Sequence, residues 1–140
     1  MSGRRLLTVF SLGAALAVLA AGCGGSGSQS QYTATGTVKC LRDKGFTHAT
    51  TNPHKVGFIA GVAENGGIKA VAPGGNVLTI TFAQDTADAA LTKQAYRDNA
   101  SPFYKRHMAD IMESQRNAVL VWTTSPSQDL LKTVLGCLGS

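Results

Sequence analysis

A chain of 140 residues, 44% hydrophobic and 15% charged, has room for one folded domain with a modest core, which excludes a disordered chain. Its formal charge of +5 includes Arg4 and Arg5 close to the N-terminus, so the remaining residues carry +3. That charge is scattered and argues against a nucleic-acid partner; weak attraction to an anionic membrane surface is compatible with it.

Residues 1–5 hold the two arginines and no acid, residues 6–21 are almost wholly apolar, and small residues follow. These are the three regions of a secretory signal. The apolar run of 16 residues is shorter than the roughly 20 needed to cross a bilayer as a helix, which argues against a stable span. The run closes on Leu19-Ala20-Ala21-Gly22-Cys23, which resembles the lipobox of bacterial lipoproteins. Ala20 stands where that family usually has leucine, and Leu19 lies one place earlier. The resemblance implies a signal peptide over 1–22, lipid on the sulfur of Cys23, and a chain held on the outer face of the cytoplasmic membrane. An ordinary secreted protein cut near Ala21 is the alternative, with Cys23 a spare thiol. Three cysteines leave one without a partner if two are paired, and lipidation of Cys23 removes the odd one. A diacylglyceryl group is a sufficient anchor, because two acyl chains hold stably where one holds marginally. General secretion is expected rather than twin-arginine export, since Gly3 and Leu6-Leu7 fit the latter poorly. Residues 23–32 read as a flexible Gly/Ser/Gln tether spanning roughly 16 Å over eight residues, followed by a single domain over 33–140.

In that domain a first helix ends in TVKCLRDKGF, with Gly45 in the left-handed position and Phe46 able to touch Leu41, as in a Schellman ending. The stretch 47–55, THATTNPHK, is polar and reads as a loop; 56–65 fits a strand or a short helix. Residues 68–71 and 77–83 around Pro73-Gly74-Gly75-Asn76 predict a hairpin. Its second arm alternates Leu78, Ile80 and Phe82 with Thr79 and Thr81, so one face is buried and the other is not. Asp85 or Thr86 caps the next helix, whose apolar stripe is Ala87, Leu91 and Ala95 or Tyr96, and which stops at Ser101-Pro102. The spacing of Tyr104, Met108, Ile111 and Met112 suits a helix, while 110–114 also suits an edge strand turning at SQRN. Residues 118–124, AVLVWTT, form a strand that is apolar on both faces, Leu120 and Trp122 on one side and Val119 and Val121 on the other. Such a strand is central and covered twice, or it offers one face to a partner. A last helix begins with Ser125 as N-cap, Pro126 at the first position and Gln128 completing a capping box. Leu130, Val134 and Cys137 share its inward face.

Together these elements predict an α+β two-layer sandwich with a three- or four-stranded, mostly antiparallel sheet and a helix at each end. Cys40 and Cys137 lie on the terminal helices, and export places them in an oxidising space. A bridge closing a loop of about 100 residues corresponds to roughly 4.7 kcal/mol in the chain-entropy model. Two buried free thiols or a redox pair are the alternatives, and the missing Cys-x-x-Cys argues against the latter. His48 and His54 are weak candidates for a metal, lacking a third ligand at a motif spacing; no cofactor motif is present.

Two stretches, CLRDKGF and NAVLVWTTSPSQDLLKTVLGCL, resemble small uncharacterised envelope proteins of actinobacterial type. That resemblance brings no known activity and favours the Cys40–Cys137 bridge. The expected function is a non-catalytic binding or interaction module of the cell envelope, meeting an envelope protein through Leu120 and Trp122. A small-ligand or metal binder using the 47–55 loop is the second reading, and an extracytoplasmic enzyme the third.

Overall fold

The structure is a computed structural model describing residues 31–139, so the expected signal peptide, Cys23 and most of the tether lie outside the described residues. Helix α1 spans Ala34–Asp43, and the Thr33 hydroxyl caps its start by accepting from the Gly36 N–H at 3.2 Å. Its end is the Schellman motif expected from Gly45. That residue sits at φ +86°, its N–H donates to the Arg42 carbonyl, and the Phe46 N–H reaches back to the Leu41 carbonyl at 3.0 Å. Leu41 and Phe46 are both buried, the apolar contact that accompanies this motif.

The expected loop at 47–55 begins instead with strand β1, Thr47–Thr50. It has no apolar alternation because it is a half-exposed edge strand, and its register breaks between Thr47 and Thr50, where His48 takes φ +52°. The ambiguous stretch after it holds the four-residue helix α2, Phe58–Gly61. Strands β2, Gly67–Val71, and β3, Val77–Phe82, form the expected hairpin. Helix α3, Thr86–Asn99, starts at Asp85, whose carboxylate accepts from the Asp88 N–H at 2.8 Å, while Asp88 in turn accepts from the Gln84 N–H at 3.1 Å. Both readings of the next segment hold in succession: α4 covers Pro102–Ile111 and β4 covers Met112–Gln115. Strand β5 is Ala118–Trp122, and helix α5 is Gln128–Cys137. The cap of α5 is Ser127, accepting from Leu130 N–H at 3.2 Å, and not Ser125. The Ser125 hydroxyl is engaged elsewhere, donating to the Asp110 carbonyl of α4.

The sheet has five strands in the order β1-β2-β3-β5-β4, all antiparallel, where three or four were expected. The edge strand THAT escapes a hydrophobicity count because it pairs on one side only, whereas MESQ realises the edge-strand alternative expected at 110–114. Two adjacent glycines show how the sheet is covered. A Cβ on Gly66 would come within 3.1 Å of the Ala34 side chain in α1, and one on Gly67 would come within 2.5 Å of the Ala60 carbonyl in α2. Gly67 pairs with Thr81 and shares the face of Thr79, so α2 lies on that side of the sheet, opposite the Leu78, Ile80 and Phe82 side chains. The expected helix layer is the α1 side, where Leu78, Ile80, Phe82, Leu120 and Trp122 make the core. Helices α2 and α3 add a partial third layer on the other side.

Cys40 and Cys137 are disulfide-bonded, 97 residues apart in sequence, and tie α1 to α5. A loop of that size corresponds to roughly 4.7 kcal/mol of denatured-state constraint in the chain-entropy model. The other tie is Asn117, buried in the two-residue turn between β4 and β5. Its Oδ1 accepts from the Tyr32 N–H, and its Nδ2 donates to the carbonyls of Tyr32 and Ala83, each at 2.9 Å. Arg116 lies 5.1 Å over the Tyr32 ring. Tyr32, assigned to the tether by composition, is therefore buried in the domain.

Asn117→Ala strands the Tyr32 N–H and carbonyl in the interior, while the Ala83 carbonyl keeps its bond from the Asn65 amide at 2.8 Å, and is expected to lower the unfolding free energy by about 2–4 kcal/mol. Urea denaturation with the disulfide intact measures this, and a loss below ~0.5 kcal/mol would contradict the assigned role. Asn117→Asp at neutral pH sets a carboxylate against both carbonyls and is expected to cost at least as much.

Candidate functional site

The outward face of β3 presents Val77, Thr79 and Thr81, with Val121 and Val119 beside them on β5. Helix α3 covers Thr81 and Val119, which are buried, and leaves Val77, Thr79 and Val121 half-buried. Between α2 and α3 the face forms the floor of a groove that follows β3 for roughly 14 Å, the rise of four strand residues. Three adjoining hollows of about 330, 490 and 290 Å³ lie along it, above Thr81, Thr79 and Val77 in turn. Ile59 of α2 borders all three, and Tyr96 and Asn99 of α3 border the second and third. Volumes of this size suit small-molecule and cofactor sites, which are mostly apolar with a few placed polar groups.

Close approach fixes the α2 wall. Gly67 leaves no room for a side chain beneath Ala60, and a Cβ on Gly61 would lie 2.5 Å from the Pro53 carbonyl. Helix α2 is thus pressed onto β2 from below and held by the preceding loop from the side. The α3 wall corrects the expected stripe. Ala89 is buried and Tyr96 half-buried, whereas Ala87 and Leu91 face outward, Leu91 at 65% exposure. Two hydrogen bonds to the sheet set this rotation: Tyr96 and Thr81 hydroxyls share one of 2.7 Å, and Lys93 Nζ donates to Ser114 Oγ at 3.2 Å. Leu91 and Ala95 therefore border the groove instead of filling a core.

The lip is apolar. Phe58 is 84% exposed and Val62 69%, and both stand beside the groove on the α2 side. Single exposed apolar side chains are ordinary, but several along one concavity mark a binding surface. Inside, part of the polar capacity is spent, while the Thr79 hydroxyl on the floor forms no hydrogen bond among the described residues. Tyr96 and Thr81 satisfy each other, and the Asn99 amide donates to the Ala95 carbonyl at 2.8 Å. Burial pushes the Tyr96 phenol above its ordinary range, with the Thr81 hydrogen bond acting in the opposite direction, so it is neutral at physiological pH. Lys69, exposed beside the middle hollow, forms no ion pair or hydrogen bond among the described residues.

The residues singled out from sequence lie elsewhere. Leu120 is fully buried and Trp122 is 2% exposed; their strand is central and covered, so neither side chain is offered to a partner. His48 and His54 are exposed on β1 and in the turn after it, where Asn52 accepts from the His54 N–H. No three or more His, Cys, Asp or Glu side chains gather as a metal site among the described residues. Cys23 lies outside the described residues. Ile59, Thr79, Tyr96 and Lys69 were missed as site residues; the sequence pattern assigns Leu91 to the inward stripe of α3 and leaves Phe58 and Val62 in a strand-or-helix stretch, so no signal separated the groove lip from core.

Among the described residues no helix is long and apolar enough to cross a membrane. Comparison of the chain with family models, curated proteins and solved structures finds no match.

A raised folded-state pKa for Tyr96 means that its contribution to stability is complete below the ordinary value of 10.0 and is lost as pH climbs through the raised value. Urea denaturation between pH 9 and 11 is expected to show stability falling more steeply for the wild type than for Tyr96→Phe. Parallel slopes would place the phenol in contact with water in the folded state.

Proposed function

We propose that the chain is exported, lipidated at Cys23 and held on the outer face of the cytoplasmic membrane, where its domain acts as a non-catalytic binding module. The observation that carries the binding role is the preformed apolar groove along β3, with Ile59 bordering each of its hollows. It replaces Leu120 and Trp122 as the binding surface, since those side chains are committed to the core. Export is supported by the Cys40–Cys137 disulfide, a bond that persists in oxidising compartments and is rare in the cytosol. The same bond uses two of the three cysteines and leaves Cys23, at the end of the lipobox-like sequence, for the lipid.

Two measurements test the parts separately. Intact-mass analysis of the full chain, expressed in a host that processes lipoproteins, is expected to give a membrane-bound species beginning at Cys23 and carrying a diacylglyceryl group. An uncleaved or lipid-free chain would remove the anchor. For the groove, an apolar dye that brightens on leaving water is expected to bind the folded chain. Ala95→Phe, which places a ring between α3 and Ile59, is expected to weaken that binding about tenfold, a change of about 1.4 kcal/mol. Unchanged dye affinity, in a variant with unchanged melting temperature, would place the binding surface outside the groove.

A further inference from the structure

We infer that the groove takes the acyl chain of an anionic phospholipid from the leaflet that holds the protein, with the headgroup at Lys69 and the tail running toward Val77 and Val121. The inference deepens the binding reading above and rests on it.

The ligand class follows from what the groove cannot satisfy. Its floor is the face of a central strand: β3 pairs with β2 on one side and β5 on the other, so its backbone groups are committed to the sheet. A peptide laid there would bring N–H and C=O groups with no ladder to join, at a cost for each one left unpaired. Side chains offer few partners for a repeating backbone: the Tyr96 hydroxyl and the Asn99 Nδ2 are bonded within the protein, which leaves the Thr79 hydroxyl and the Asn99 Oδ1 along the middle and Val77 hollows. A chain of methylenes needs none of these partners, and each methylene buried contributes about 0.8 kcal/mol.

Charge gives the direction. Lys69 stands at the middle hollow with no anion beside it among the described residues. Glu64 and Asp88 border the hollow above Thr81 and disfavour a phosphate there. The hollow above Val77 is bounded by Met108, Ile111, Val121 and Trp122, the more apolar end and the natural seat for the tail.

Position supplies the source. Gln31 contacts Asn65 through a 3.4 Å side-chain hydrogen bond, and the Ala34 N–H donates to the Asn65 carbonyl. Asn65 follows Glu64, so the chain enters the domain at the Thr81 end of the groove. Eight residues separate Cys23 from Gln31, a reach of at most about 29 Å when fully extended. A lipid on Cys23 thus keeps the groove and its apolar lip of Phe58, Val62 and Leu91 close to the leaflet.

The test uses the full chain with Cys23→Ser, purified without detergent, incubated with phosphatidylglycerol or phosphatidylcholine vesicles, separated from them and analysed for retained lipid by mass spectrometry. Expected are retention of one phosphatidylglycerol per chain, at least fivefold less phosphatidylcholine, loss of that preference in Lys69→Glu, and loss of both lipids in Ala95→Phe. Phe58→Ser, at an exposed lip position, is expected to slow loading without altering the melting temperature. Equal retention of the two lipids in the wild-type and Lys69→Glu backgrounds would overturn the headgroup assignment. No retained lipid, or a dimer that buries the groove, would overturn the proposal even where wild-type chain is shown to be lipidated. Retention by the Cys23→Ser chain, with wild-type chain found unlipidated, would uphold the groove and remove the anchor.

Discussion

The side-chain amide of Asn117 holds together three parts of the chain that are far apart in sequence. One carboxamide satisfies both backbone groups of Tyr32 and bonds the carbonyl of Ala83, while the backbone carbonyl of Asn117 accepts from the Ala83 N–H at 2.8 Å. Those bonds join the start of the domain, the end of β3 and the β4–β5 turn. The geometry is not free of cost, since Arg116 beside it adopts φ +51°, a conformation unfavourable for a residue with a side chain. The same arginine stacks over Tyr32, so the strained residue completes the clamp. Because the clamp fixes where the chain enters the domain, it also fixes the groove relative to the tether.

From that anchor, β3 divides the molecule. Leu78, Ile80 and Phe82 face the core with α1, and the disulfide joins α1 to α5 at its edge. Val77, Thr79 and Thr81 face the groove. The alternation is a property of any strand, but here the two faces have different fates because the helices that cover them differ. Helix α1 has ten residues and α2 has four. A four-residue helix cannot cover a sheet face, and α3 is held over the β5 side by the Tyr96 and Lys93 hydrogen bonds. What is left partly uncovered is the strip at Val77 and Thr79, with Thr81 closed over by Tyr96.

The parts legible in the sequence were those decided locally. The Gly45 ending, the Pro73–Asn76 hairpin and the Asp85 cap each depend on a residue whose chemistry allows few alternatives at that place. The inward side of α5 was legible as well, because a three- and four-residue spacing of Leu130, Val134 and Cys137 has one helical solution. The edge strand THAT was not, because it pairs through its backbone and shows no apolar alternation, and MESQ was legible only as an edge-strand alternative to a helix, marked by the turn at SQRN. The site was illegible for a related reason. Phe58, Val62 and Leu91 look like core residues by composition, and only the pressed contact of α2 on Gly67 and the rotation of α3 show that no core receives them. Trp122 misled in the opposite direction, since a large aromatic on a two-faced strand fits an interface and a core equally well until the cover on each side is known.

The groove persists because closing it is obstructed on both walls. Fully burying a phenylalanine or leucine side chain contributes roughly 1.5–3 kcal/mol, so Phe58 and Leu91 would stabilise the free protein if α2 and α3 could close together. Helix α2 cannot move toward the sheet, because Gly67 already meets Ala60 at the limit of contact, and it cannot slide toward Pro53, because Gly61 meets that carbonyl. Helix α3 cannot rotate Leu91 inward without breaking the Tyr96–Thr81 bond and withdrawing Ala89 from the core. The apolar surface that folding leaves exposed is therefore held open in a fixed shape. A ligand that fills it loses little free energy to reorganising the protein, and the unspent burial energy becomes available to binding.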